Sequence, residues 1–66
     1  MLAKRLGMRL KQLRATNDLN QTNLAKKVGV TQAYIAMLEK GQQNPTLDVL
    51  QRLAKALKVT VAELVG

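Results

Sequence analysis

The sequence predicts an all-α domain of five short helices, and three observations lead to that prediction. Apolar residues recur at spacings of three and four along most of the chain, which is the period of an amphipathic helix. Asn, Thr and Gly, the residue types that favour helix ends, punctuate this pattern. β-Branched residues do not alternate with polar ones over any useful length, so strands are not predicted. A chain of 66 residues suffices for one domain, residues 1–66, with a core mainly of Leu and Val.

The first helix is predicted from an apolar stripe on one side and basic residues on the other. Gly7 lies in the middle of this pattern and is expected to weaken the helix by up to about 1 kcal/mol relative to Ala. The run TNDLN, residues 16–20, is expected to end the helix. The apolar stripe consists of Leu2, Leu6, Leu10 and Leu13, and the opposite side carries Lys4, Arg5, Lys11 and Arg14.

The other four helices are predicted from their caps. A side chain of Asn or Thr at an N-cap accepts a hydrogen bond from a backbone N–H in the first turn. The predicted N-caps are Asn20, Thr31, Thr46 and Thr60, the last in a capping box with Glu63. The helices that they open cover residues 21–28, residues 32 to about 40, a fourth segment from residue 47, and a short segment from residue 61. The fourth helix is expected to bury Leu47, Leu50, Leu53, Ala54 and Leu57.

The second and third helices are predicted to form a helix-turn-helix. About three residues join them, so they must cross steeply and approach closely, which requires a small residue at the crossing and a turn residue able to adopt αL. Ala25 and Gly29 meet these two requirements, and the apolar anchors are Leu24, Val30, Ile35 and Leu38. In such a motif the second helix lies in the DNA major groove. The spacing alone would also suit an αα-hairpin in a plain helical bundle.

The composition favours a polyanionic partner and disfavours catalysis. Eleven Lys and Arg against four acids give a net charge of +7, which is typical of nucleic-acid binding, although a basic surface without a ligand has the same composition. Without Cys or His the chain lacks thiolate ligands, the commonest metal ligand and the commonest general base. We therefore predict no catalytic residue, no cofactor, no metal and no small-molecule ligand.

The location of the protein is also predicted from the hydropathy of the chain. No apolar run approaches the roughly 20 residues of a membrane span, so no membrane partner is predicted. The basic start of the chain is not followed by the apolar core of a secretory signal. We expect a cytoplasmic protein, associated with the nucleoid in a bacterial host.

Four local motifs make the sequence resemble the lambda-repressor-like family, the Cro/C1 or Xre type of bacterial and phage regulators. They are L-x-Q-x-x-L-A at residues 19–25, G-V-T at 29–31, I-x-x-L-E-x-G at 35–41 and N-P-T-L at 44–47. The resemblance covers Leu19 to Leu64, and the first helix fits as the family's first helix. It implies a compact five-helix lambda-repressor-like domain that acts as a sequence-specific transcriptional regulator, of repressor or controller type. It also implies a dimer on double-stranded DNA, with half-sites about 34 Å apart.

The resemblance assigns roles to individual residues at matching positions. It implies an ion pair between Arg14 and Glu39 that holds the third helix in place, whereas two solvated charges are the alternative. It implies that residues at the start of helix two and after helix three contact DNA phosphates, as helix N-termini and polar side chains can. These residues are Asn20, Gln21, Lys40, Gln42, Gln43 and Asn44. Arg9 and Lys27 are further candidates for phosphate contacts.

The third helix is predicted to read bases through an outer face with little polar chemistry. A helical wheel places Thr31, Ile35, Leu38 and Glu39 inward and leaves Ala33, Ala36, Met37 and Lys40 outward. The amide of Gln32 can pair with adenine, and Ala33 and Met37 can contact thymine methyl groups. Tyr34 is expected to contact the DNA backbone or to pack as a surface aromatic. The predicted base contacts are Gln32, Ala33, Ala36 and Met37. Because only Gln32 among them can hydrogen-bond a base, DNA shape is expected to supply much of the specificity.

Several alternatives stay open at the level of sequence. Val61, Leu64 and Val65 in the last helix can form a dimer surface or complete the monomer's core. The biological setting can be a phage, a restriction-modification system or a toxin–antitoxin pair, and the operator is not predicted. The competing functions are a protein-interaction module, docking through Ala33, Ala36 and Met37, and a non-specific DNA-packaging protein.

Overall fold

The computed structural model describes residues 2–66 as five α-helices joined by short loops. Met1 and the side chain of Leu2, with its predicted place in the apolar stripe, lie outside the described residues. No strand occurs in the described chain, so the all-α fold class is confirmed. The helices are α1 Leu2–Thr16, α2 Gln21–Val28, α3 Gln32–Glu39, α4 Leu47–Ala56 and α5 Val61–Val65.

The helix ends follow the predicted capping chemistry. Each predicted N-cap side chain accepts a hydrogen bond from the backbone N–H three residues later, at 2.7–3.2 Å. Glu63 completes the capping box by accepting from the backbone N–H of Thr60 at 3.1 Å. Gly29 ends α2 with φ 83°, in the left-handed conformation that glycine adopts without strain. The α2–α3 connection therefore has the predicted turn.

One core joins all five helices. Its largest fully buried side chains are Leu6, Leu10, Leu24, Ile35, Leu38, Leu53, Leu57 and Leu64. No polar or charged residue in the described chain belongs to the fully buried set. α2 and α3 pack against each other, and each also packs against a helix outside the helix-turn-helix: α2 against α4, and α3 against α1. α5 packs against α1 and α4.

Gly7 is required by packing rather than tolerated by it. A Cβ atom at this position would lie 2.5 Å from the carbonyl oxygen of Leu38 and 2.6 Å from that of Glu39. The backbone of α1 thus touches the C-terminal end of α3, which no larger residue would allow. The cost to helix propensity that the sequence predicts at Gly7 is offset by this close approach.

Two expected side-chain positions were wrong, and for Leu64 the structure selects one of the two alternatives left open by the sequence. Leu47 is 64% exposed, because the first residue of α4 projects beyond the core that Leu53 and Leu57 fill. Thr31 is exposed rather than inward, since its hydroxyl turns back to cap α3. Leu64 is 1% exposed and belongs to the monomer's core, so it cannot itself form the predicted dimer surface. Val61 and Val65 are half-buried against the same core.

Candidate nucleic-acid interface

The N-terminal ends of α2 and α3 lie side by side on one surface of the domain. Their first residues, Gln21 and Gln32, are in direct contact, since Gln32 Nε2 donates to Gln21 Oε1. The two helices pack through Leu24, Ala25 and Ile35, all buried. The first turns of both helices, whose first backbone N–H groups have no intrahelical partner, therefore lie close together on this surface.

An ion pair between α1 and α3 lies directly behind this surface. Arg14 Nε donates to Glu39 Oε2 at 2.6 Å and Arg14 Nη2 donates to Glu39 Oε1 at 3.2 Å, a two-point contact. Arg14 Nη1 also donates to the carbonyl oxygen of Leu19 at 3.0 Å. The side chains of Arg14 and Glu39 are only 17% and 5% exposed. This pair thus fixes α1, the loop before α2 and the C-terminal end of α3 to one another.

A relay of amide groups connects the ion pair to the exposed start of α3. The carboxylate of Glu39 accepts hydrogen bonds only, so Gln21 must turn its NH₂ group toward it, and Nε2 lies 3.0 Å from Glu39 Oε1. The oxygen of Gln21 then faces Gln32, which must present its own NH₂ group. As a result, Gln32 keeps its oxygen and one N–H free. We call this set of four residues, Arg14, Glu39, Gln21 and Gln32, the amide relay.

The outer face of α3 is less exposed than the helical wheel suggests. Gln32 and Ala33 are exposed, whereas Tyr34, Ala36 and Met37 are half-buried. Tyr34 packs against the core at its edge. The exposed polar side chains of this face are Gln32 at its start and Lys40 at its end, and of the two only Gln32 can both donate and accept hydrogen bonds.

The loop after α3 carries the other predicted phosphate contacts. Lys40 is the exposed C-cap of α3, and Gly41 follows with φ 73°. Gln42 donates its backbone N–H to the carbonyl of Met37 at 2.9 Å, which folds the loop back on the helix. Gln42 and Asn44 are exposed and Gln43 is half-buried. Asn20 is exposed at the start of α2, and its side chain caps that helix.

Lys4 is a further candidate for a phosphate contact that its position in the sequence does not indicate. The loop packs so tightly on α1 that a Cβ at Gly41 would lie 3.0 Å from Lys4 Cα. This packing places the backbone of the exposed Lys4 against Gly41, the residue after Lys40, so a second lysine lies next to the loop. The only sequence signal is Gly41 itself, whose positive φ and lack of a side chain permit the contact.

Two weaker candidates for phosphate contacts lie elsewhere. Arg9 donates Nε to the carbonyl oxygen of Glu63 at 3.3 Å, so it belongs to the α1–α5 side. Lys27 lies near the C-terminal end of α2, about 9 Å along the helix from Gln21. Both residues thus lie apart from the surface that Gln21 and Gln32 form, and their contact with phosphates stays a prediction.

Similar proteins share both this sequence and this fold. An immunity repressor of Bacillus phage phi105 is 36% identical over 61 residues, which cover 92% of this chain and 42% of the repressor. The restriction-modification controller C.AhdI from Aeromonas hydrophila is 35% identical, with a TM-score of 0.90 over 94% of both chains. The biofilm regulator SinR, solved in complex with DNA, is 32% identical, with a TM-score of 0.87 over 92% of this chain and 98% of that one.

The family itself follows from a match that spans most of the chain. Residues 10–64 match the model of the helix-turn-helix family, from the middle of α1 to α5. The matched segment contains the predicted motifs, the amide relay and the turn at Gly29. In the described chain, no helix is long and apolar enough to cross a membrane. The resemblance to Cro/C1-type regulators is thus confirmed, and the chain belongs to the helix-turn-helix family.

Proposed function

We propose that this protein is a sequence-specific DNA-binding transcriptional regulator, of repressor or controller type, with α3 in the major groove. The observation that carries the proposal is the amide relay, which orients the exposed amide of Gln32 at the start of α3. Relatives whose names describe a repressor, a controller and a DNA-bound regulator support it. The proposal assigns no catalysis to the chain and locates its action on the nucleoid.

The free groups of Gln32 match the major-groove edge of adenine. Adenine presents an N6 donor and an N7 acceptor, and a glutamine amide pairs with both. Gln32 keeps one oxygen and one N–H after donating to Gln21, so it has the acceptor and the donor that this pairing needs. A glutamine that could flip would lose part of this discrimination. The buried carboxylate of Glu39 therefore contributes to specificity although it does not touch DNA.

The neighbouring residues supply apolar base contacts and phosphate contacts. Ala33 contacts a thymine methyl group, and the half-buried Ala36 and Met37 offer narrower apolar contacts at the groove floor. Phosphates on one side meet the start of α2, where the backbone N–H groups of Gln21 and Thr22 are free of intrahelical partners. Other phosphates meet Tyr34 in the first turn of α3 and the following residues at its C-terminal end and in the loop: Lys40, Gln42, Gln43 and Asn44. Asn20 contributes mainly by capping α2.

A single domain of this size reads few base pairs, so the proposal includes a homodimer on two-fold-related half-sites. The remaining exposed parts of Val61 and Val65 on α5 form the contact, while Leu64 supports them from the core. The half-sites then lie about 34 Å apart, one turn of DNA.

The test is a selection of bound duplexes from a random pool at about 0.15 M salt, a physiological ionic strength, with the wild type and Gln32→Ala in parallel. The wild type should enrich a two-fold-symmetric site. Gln32→Ala should lose about 1–3 kcal/mol of discrimination at one base pair in each half-site and keep the rest of the site. Asn44→Ala is the matched control, because a lost phosphate contact weakens all sequences alike.

Each outcome decides between the candidate functions. If the selection enriches no motif and DNA binding weakens steeply with salt, the protein is a non-specific DNA-packaging protein and not a sequence-specific regulator. If no duplex stays bound to the protein, a protein-interaction module is favoured. An equal loss on every sequence for Gln32→Ala would remove Gln32 from base recognition.

A further inference from the structure

A second basic surface lies away from the amide relay. Four basic side chains from α2, α4 and the loop after α4 converge there and line a shallow cleft of about 460 Å³ together with Ala56. We call these residues the rear basic cluster: Lys27, Arg52, Lys55 and Lys58. All four are exposed. Within residues 2–66 one carboxylate pairs with the cluster, Asp48 Oδ2 at 2.9 Å from Arg52 Nη2, so three positive charges are left to solvent.

The rear basic cluster and the proposed DNA surface lie at opposite ends of the same helices. α2 starts at Gln21 on the DNA surface, and Lys27 is about 9 Å farther along its axis. α4 starts beside the loop that ends at Asn44, and Lys55 is about 12 Å beyond its first residue. The start of α2 and the loop after α3, where the phosphates of the first duplex are proposed to bind, therefore lie about 9 Å from Lys27 and about 12 Å from Lys55 along the helix axes.

Helix electrostatics account for only part of the cluster. Lys27 and Lys55 occupy the last turns of α2 and α4, where a cation is favoured by the partial negative charge of the helix end. Lys58 follows α4 with φ 61°, outside the helix, and Arg52 lies a turn earlier. Bringing all four cations to one cleft adds mutual repulsion that no helix end requires. The convergence indicates an anionic ligand.

The lining of the cleft indicates which class of anion fits. Protein partners are held mainly by buried aromatic or large apolar anchors, and the only apolar residue here is Ala56. A phosphate backbone needs no such anchor, because its affinity comes from Lys and Arg replacing condensed counterions. Bending one duplex by 40–90° over 20–30 base pairs already costs about 1–6 kcal/mol, and reaching the opposite end of this domain would need more. A separate duplex is therefore favoured.

We propose that the rear basic cluster binds the phosphate backbone of a second DNA duplex while α3 occupies the first. This inference rests on the proposed function, since it assigns the first duplex to α3. The second contact has no base-reading group and is independent of sequence. A bound protein would thereby hold two DNA segments together and raise the local density of DNA around its site.

The test uses the selected full site, fixed to beads and saturated with protein, and a labelled duplex of unrelated sequence added in solution. Two readouts are taken: occupancy of the bead-bound site and capture of the labelled duplex. The test variant is Lys55→Gln/Lys58→Asn, because Asn tolerates the left-handed conformation at position 58. The control is Arg5→Gln/Lys11→Gln on α1, where both side chains are exposed. Each pair removes two positive charges and takes the net charge from +7 to +5.

The wild type and the control should capture the labelled duplex, and the test variant should occupy the site equally but lose most of the capture. Its capture should also depend less steeply on salt, by about two units of the log–log slope. Full occupancy without capture by the wild type would overturn the inference alone. Equal loss in the control would overturn the placement on the rear basic cluster. Absence of occupancy by the wild type would overturn the proposed function, and the inference with it.

Discussion

Two arginine–carboxylate pairs in this domain have similar lengths and very different surroundings. Arg14 and Glu39 meet at 2.6 Å with side chains 17% and 5% exposed. Arg52 and Asp48 meet at 2.9 Å with side chains 53% and 66% exposed, four residues apart on α4. The first pair joins α1 to α3 and receives a further hydrogen bond from Gln21 on α2. The second joins two turns of one helix.

The comparison shows that the contribution of an ion pair to the free energy of unfolding depends on the surroundings of the two charges more than on the N–O distance between them. Water screens the exposed pair, and holding two long side chains together costs entropy, so such pairs contribute about 0–1 kcal/mol. The buried pair is screened less, and its carboxylate accepts three hydrogen bonds from two side chains. Removing one partner there leaves a charge without compensation. We therefore expect a large effect at Glu39 and a small one at Asp48.

The largest effect is expected for Glu39→Ala. Breaking a buried pair costs about 3–5 kcal/mol, and the partial exposure of Arg14 places the expected loss near the lower end, about 3 kcal/mol. The free energy of unfolding, measured in urea, checks the magnitude. In the same variant Gln21 loses the acceptor that orients the amide relay, so discrimination at the adenine read by Gln32 should also fall.

The double variant Arg14→Met/Glu39→Leu controls for the loss of the charge itself. It removes both charges and keeps apolar volume, so it should be more stable than Glu39→Ala, as replacement of buried pairs by apolar residues often is. A double variant as unstable as the single one would mean that packing around Glu39, and not its charge, holds α3 in place.

Gly7→Ala is expected to cost about 1–3 kcal/mol, the range for a forced overpacking. The added Cβ would meet the carbonyl oxygens of Leu38 and Glu39, which are backbone atoms and cannot rotate away. Helix propensity alone predicts the opposite sign, a gain of about 1 kcal/mol. The free energy of unfolding distinguishes the two, and Ala15→Gly in the last turn of α1 is the control in which propensity alone acts. A stabilised Gly7→Ala would show that α3 can move off α1 at little cost.

The elements that were predicted correctly depend on local chemistry. The N-caps at Asn20, Thr31, Thr46 and Thr60 and the turn at Gly29 are each set by residues within one helical turn, so the sequence is sufficient to place them. The predicted burial of Leu47 was wrong because it depends on packing between helices and not on local chemistry. Its spacing fits the apolar face of α4, but whether a first-turn residue reaches the core depends on where the neighbouring helices end.

Within the site the ion pair between Arg14 and Glu39 was predicted, whereas the hydrogen bonds that link Gln21 and Gln32 to it were not. Gln21, Gln32 and Glu39 were each assigned a role, yet nothing in their spacing indicates that they form one relay with fixed amide orientations. Lys4 was missed because its approach to Gly41 joins residues far apart in sequence. Such contacts arise from the packing of α1 on α3, which periodicity does not specify.

Asp48→Ala should change the free energy of unfolding by no more than about 0.5 kcal/mol, the value of an exposed pair at this helical spacing. The loss includes the favourable place of an acid in the first turn of α4. Because salt screens exposed charges, the small difference should shrink further at about 1 M salt. A loss comparable with that of Glu39→Ala would break the contrast between the two pairs.

The smallest effect is expected at Glu63, a carboxylate governed by hydrogen bonds more than by a cation. The backbone N–H and then the hydroxyl of Thr60 lower the pKa of Glu63 from 4.5, opposed by a smaller desolvation effect and assisted least by the charge of Arg9. A lowered folded pKa stabilises the fold above the unfolded value, and that stabilisation is lost as the pH falls through the folded value. Between about pH 6 and about pH 3, across the usual carboxylate range, the melting temperature of the wild type should therefore fall slightly more than that of Glu63→Gln. Glutamine keeps the capping geometry without titrating, so identical pH profiles would show that the charge of Glu63 contributes nothing to α5.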